Sequence, residues 1–210
     1  VRRQQDAVPL ESGVHRARRK EAPEEAAGDD EDDDREGGLD RHQQIAQVLE
    51  TQFPETVANQ PELVAHHYTE AGLHEPAVTY WYQAGHRASE RSAYLEAIAH
   101  LRKGLEVLHR CPQTGAHAKQ ELTLHLTLGP ALTATQGYAS PEVERAYTQA
   151  RDLGQHVGER PEQFRALQGL WNCYFVRAQH QTARTLGEQL LALAQQTQDS
   201  GHFLGAYRAL

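Results

Sequence analysis

From about residue 39 onward the apolar residues return at intervals of three and four, the spacing of amphipathic helices that each bury one stripe. The first stripe, Ile45, Val48, Leu49 and Phe53, predicts a helix from about Leu39 to Phe53 that Pro54 ends. Later starts carry proline in the first helical turn, where no N–H donor is needed, at Pro61, Pro76, Pro141 and Pro161. At Ser140-Pro141-Glu142 a capping hydroxyl, a first-turn proline and an acid near the positive helix end coincide. Stops are expected at Gly72, Gly137, Gly158 and Gly201. The pattern therefore predicts further helices at about 61 to 71, 75 to 91, 94 to 109, 116 to 134, 141 to 156, 161 to 178, 181 to 197 and 202 onward. Connections this short make successive helices antiparallel neighbours, in a bundle or a solenoid.

One stretch breaks the rhythm. Leu122, Leu124, Leu126 and Leu128 alternate with Thr123, His125 and Thr127, the period of a half-buried strand. A helix is still predicted, because helix formers lead in from Ala116 to Glu121 and the leucines also pair at i, i+4. A lone strand would have no partner in this chain. Pro130 is expected to bend that helix.

Charge separates a different region. Residues 1 to 40 hold 7 Lys or Arg against 13 Asp or Glu, with no aromatic residue and no Ile. Such a segment cannot bury enough apolar surface to offset its ordering entropy, so a disordered charged arm is expected over 1 to 40 and a helical domain over 41 to 210. The arm's basic patch, Arg16-Ala17-Arg18-Arg19-Lys20, and its acidic block, Asp29-Asp30-Glu31-Asp32-Asp33-Asp34, read as a solvated tail rather than a nucleic-acid tag or a calcium loop. The net charge of −8 over 210 residues argues against a chain that works by neutralising phosphates, so no nucleic-acid partner is expected. No apolar run approaches the roughly 20 residues of a membrane span, and a cytoplasmic chain without membrane contact is the expectation. Met is absent even at position 1, and helix formers run to Leu210 with no stop signal, which reads as a piece of a longer protein.

Self-similarity decides between bundle and solenoid. Tyr80-Trp81-x-x-Ala84-Gly85-x-x-Ala88 is followed by Ala97-Ile98-x-x-Leu101-x-x-Gly104-Leu105, a large aromatic one turn before small residues that admit a neighbouring helix. A weaker copy is Leu167-x-x-Leu170-Trp171-x-x-Tyr174 with Ala178, Ala183 and Leu190, and a third runs from Ala65, Tyr68 and Gly72 to Ala77, Trp81 and Ala84. The spacing resembles the tetratricopeptide repeat, a 34-residue helix-turn-helix unit, although its terminal proline is missing. The expected fold is all-α, a tetratricopeptide-like antiparallel helix-hairpin solenoid with Trp81 and Trp171 buried.

Taken with His42 to Glu50, His66-His67-Tyr68-x-x-Ala71-Gly72 and Gly137-Tyr138-Ala139-Ser140-Pro141-Glu142-Val143, these motifs resemble the C-terminal helical-repeat region of large bacterial signalling proteins. Those proteins carry an AAA-type or STAND-type ATPase domain, often after an adenylate/guanylate cyclase domain. The resemblance covers about residues 41 to 210 and implies a non-catalytic interaction or sensing arm. Its partner would be a protein or peptide, or the parent's own ATPase domain in an autoinhibitory contact. Repeat positions that usually face the groove carry over to Tyr82, His86, Glu90, Gln168 and Asn172.

Catalytic chemistry finds little support in the residues. The three lysines, Lys20, Lys103 and Lys119, include none in a Gly-Lys-Ser/Thr phosphate loop, and no G-x-S-x-G elbow or HExxH occurs. No cofactor or metal is expected in this segment. His66 and His67 are adjacent on a helix and point about 100 degrees apart, which disfavours one shared ion. Cys111 and Cys173 stand 62 positions apart and read as small buried hydrophobes. The aromatic set Tyr80, Trp81, Tyr82, Trp171, Tyr174 and Phe175 is expected in the core rather than on a stacking platform.

Overall fold

A computed structural model describes residues 29–112 and 114–210, with side chains from residue 38. Among them it places ten helices and no strand: α1 Asp29–Gln52, α2 Pro54–Asn59, α3 Pro61–Glu70, α4 His74–Glu90, α5 Tyr94–Leu108, α6 Gly115–Gln136, α7 Pro141–Val157, α8 Arg160–Val176, α9 His180–Thr197 and α10 Ser200–Ala209. The expected disordered arm lies outside the described residues up to residue 28, and α1 begins at Asp29, ahead of the expected start at Leu39.

The helices stack as antiparallel hairpins in chain order, a tetratricopeptide-like solenoid. Each packs on its sequence neighbour, and α4 also meets α6, α6 meets α8, and α8 meets α10, so these first helices of the pairs form one continuous inner row. Trp81 lies in the core, where its indole Nε1 donates to Thr69 Oγ1 at 3.0 Å and its ring stacks on His100. Trp171 is buried as well and donates to the Ala209 carbonyl at 2.8 Å. Phe175 departs from the expectation: it is half exposed, lying over the Trp171 ring.

Helix ends follow local chemistry. Pro61 and Pro141 open α3 and α7, and Ser140 Oγ accepts from Glu142 N at 3.2 Å. Pro54 both ends α1 and opens the short α2, an element the apolar pattern does not announce because none of its side chains is buried. Gly201 is not a stop. It sits in the first turn of α10, whose N-cap Asp199 accepts from His202 N at 2.9 Å, and α9 ends instead at left-handed Gln198.

The leucine–threonine stretch is helical because α6 is packed on two sides. Leu124 and Leu128 join the main core with Trp81, while Leu122 and Leu126 face Ala150 and Ala166 in a second core. Two i, i+4 stripes on opposite flanks produce the alternation of a strand. The intervening Thr123 and Thr127 hydroxyls donate back to the carbonyls of Lys119 and Thr123, at 2.9 and 2.8 Å.

Candidate functional site

The inner row leaves a groove whose floor is α6 and whose walls are α4 and α8. Two cavities occupy it. One, about 380 Å³, is lined by Tyr82, His86, Glu90, Thr127 and Arg165 among others; the next, about 420 Å³, by Thr133, Tyr147, Arg165, Gln168 and Asn172 among others. Leu126, Pro130 and Arg165 line both, so the two are neighbouring compartments of one groove.

All five residues singled out from the sequence line this groove, three on α4 and two on α8. Tyr82 is half-buried with its ring 5.8 Å from that of His86, and exposed His86 lies 3.6 Å from the Glu90 carboxylate. Gln168 and Asn172 are half-buried one turn apart. The residues missed are Arg165 and the α6 floor. Arg165 precedes Gln168 by three and Asn172 by seven, the spacing of one helix face, and that spacing was the available signal.

Pro130 lies inside α6 and has no N–H to give, so the carbonyl of Leu126, one turn earlier, loses its usual helical donor where both residues line the groove. Tyr147 spaces the α6 floor from the α8 wall. It is buried between Gly129 of α6 and Gly169 of α8; a methyl group on Gly129 would lie 2.6 Å from its Cζ, and one on Gly169 would collide with its ring. Burial pushes its phenol up to about 12, so it stays protonated at neutral pH.

Elsewhere, His42 of α1 approaches His67 of α3, their Nδ1 atoms 2.9 Å apart, with the His66 ring alongside. His67 is held below the usual histidine range by burial and by these two neighbours. No group of three or more His, Cys, Asp or Glu side chains among the described residues is arranged to hold a metal ion. Both cysteines are buried and free, and burial raises the Cys173 thiol to about 11. None of the described helices is long and apolar enough to cross a membrane.

No family profile matches the chain. It is similar to an uncharacterized protein of Rhizobium meliloti (strain 1021), 30% identical over 110 residues, which is 51% of this chain and 11% of that relative. The matched stretch is thus a small part of a much longer protein.

Proposed function

We propose that this chain is a non-catalytic arm that captures a peptide or protein segment in the groove between α4, α6 and α8, within a larger cytoplasmic nucleotide-dependent signalling protein of the ATPase or cyclase type. The carrying observation is the continuity of the groove: two adjoining cavities share Leu126, Pro130 and Arg165 and between them take in Tyr82, His86, Glu90, Gln168 and Asn172. An extended segment of a few residues suits two adjoining cavities of mixed lining better than a single compact ligand does. The nucleotide-dependent parent draws on the motif resemblance. The size of the Rhizobium relative supports an arm of something larger.

The test is capture from a displayed library of random peptides by the chain and by a double variant, His86→Ala with Asn172→Ala. Capture by the first and its loss in the second, at unchanged helicity by circular dichroism, is the expected result. Equal capture by both would remove these residues from the account. A second reading, in which the groove seats a segment of the same longer polypeptide, draws on that same difference in length. Crosslinks mapped within the parent protein separate it from capture of an outside partner.

A further inference from the structure

We propose that the cavity between α6 and α8 is a subsite for a carboxylate, with Arg165 as its cation. The inference rests on the groove reading and names the ligand chemistry of one of its compartments.

The lining of this cavity is one-sided in its chemistry. Arg165, Gln168, Asn172, Tyr138 and Tyr147 line it, with Thr133, whose hydroxyl donates to the Gly129 carbonyl, and no Asp or Glu is among the lining residues. Arg165 is exposed and forms no ion pair among the described residues, so its guanidinium is not already committed to a carboxylate there. A guanidinium is a rigid planar fork of donors that matches the two oxygens of a carboxylate, and the amides add neutral donors at its rim. The Tyr147 phenol remains a donor at neutral pH because burial opposes its ionisation. Gly169, where any side chain would meet Tyr147, keeps that wall bare.

The neighbouring compartment differs. It shares Arg165 but contains Glu90, whose carboxylate faces His86. An anionic group entering the groove is repelled at the α4 wall and drawn to the α8 wall. The groove therefore has polarity along its length, and an acidic residue of the bound segment belongs in the compartment without acids. The same chemistry is offered by an acidic side chain of a peptide or by a free small dicarboxylate.

Two arms distinguish these sources. In the first, random octapeptides tethered through their C-termini, so that only side-chain carboxylates are free, are probed with the chain, with Arg165→Gln, and with Arg184→Gln as a control on exposed α9. In the second, glutarate is titrated while the side-chain amide signals of Gln168 and Asn172 are followed by NMR. The expected result is capture of peptides with Asp or Glu at one fixed position, a preference that falls at least tenfold in Arg165→Gln and persists in Arg184→Gln. Capture without an acidic preference, or with one that Arg165→Gln leaves intact, overturns the subsite while groove binding stands. No capture, with a glutarate response that Arg165→Gln abolishes, supports the subsite for a free carboxylate and removes the peptide reading. No capture and no glutarate response overturns both.

Discussion

The hairpin α4–α5 and the hairpin α8–α9 are the same structure offset by 86 residues. His74 and Arg160 open their first helices, left-handed Ser92 and Ala178 close them, and Tyr94 and His180 open the second helices. Their side chains differ in an ordered way. The first hairpin sets Trp81 beside Gly104 and Gly85 against Leu101; at the matching positions the second has Leu167 with Leu190, and Trp171 with Gly187. The indole has moved one turn along the helix, and the small residue has moved across the interface with it. What persists is the combined volume between the two helices rather than the residue at any one position. The move also serves the next element: Gly187 leaves room for the Ala209 carbonyl, which then accepts from Trp171, so α10 docks on the exchanged pair.

The strongest challenge to this equivalence is to truncate both indoles. Trp81→Ala and Trp171→Ala should each cost about 3–5 kcal/mol in chemical denaturation. Only Trp171→Ala should speed hydrogen exchange along α10, because only there does the indole hold the neighbouring helix by its terminal carbonyl. Equal exchange in the two variants would break the comparison.

Smaller changes sharpen it. Gly85→Ala presses on Leu101, whose Cγ would lie 2.5 Å from the new methyl but can shift, at a cost of about 1–3 kcal/mol. Gly187→Ala meets the Ala209 carbonyl oxygen at 2.7 Å. Backbone cannot rotate away, so the expected outcome is undocking of α10, seen as lost protection of its amides.

The first helix of each hairpin is also tied by a tyrosine to a glutamate on an earlier helix. Glu50 accepts from Tyr68 at 2.7 Å and Tyr80 at 2.6 Å, whereas Glu144 accepts from Tyr174 at 2.5 Å and also pairs with Arg177. The Tyr174 hydroxyl first, and then Arg177, hold the Glu144 carboxyl below its usual value of 4.5. Its contribution is therefore complete above pH 4.5 and is lost as pH falls through the depressed folded value. Glu144→Gln should cost about 1 kcal/mol near neutral pH and flatten that acid limb in stability measured against pH. The smallest effect is a gain: Ala178→Gly relieves a left-handed non-glycine residue and should add about 0.5–1 kcal/mol to the unfolding free energy.

Helices were legible where proline, a capping serine or glycine marked an end, which covers α3, α7 and the closures at Gly72, Gly137 and Gly158. The closures at Ser92 and Ala178 carry no such residue; only the periodicity placed them, because the left-handed turn there is imposed by the packing of the hairpin. Gly201 misled because Gln198 took the left-handed position in its stead. The groove residues on α4 and α8 followed from repeat spacing, but the floor did not. Leu126 and Pro130 look like core and helix breaker in sequence, and Arg165 looks like any exposed charge until two cavities are found to share it.

The position of Tyr147 carries a last consequence. Because its ring sits between Gly129 and Gly169, where a methyl on either would collide with it, the spacing of α6 from α8 depends on that one ring. A side chain added at 129 or 169 therefore needs a smaller residue at 147 to receive it. The ring works as a spacer gauge, and a lineage that reshaped this end of the groove would show all three sites changing together.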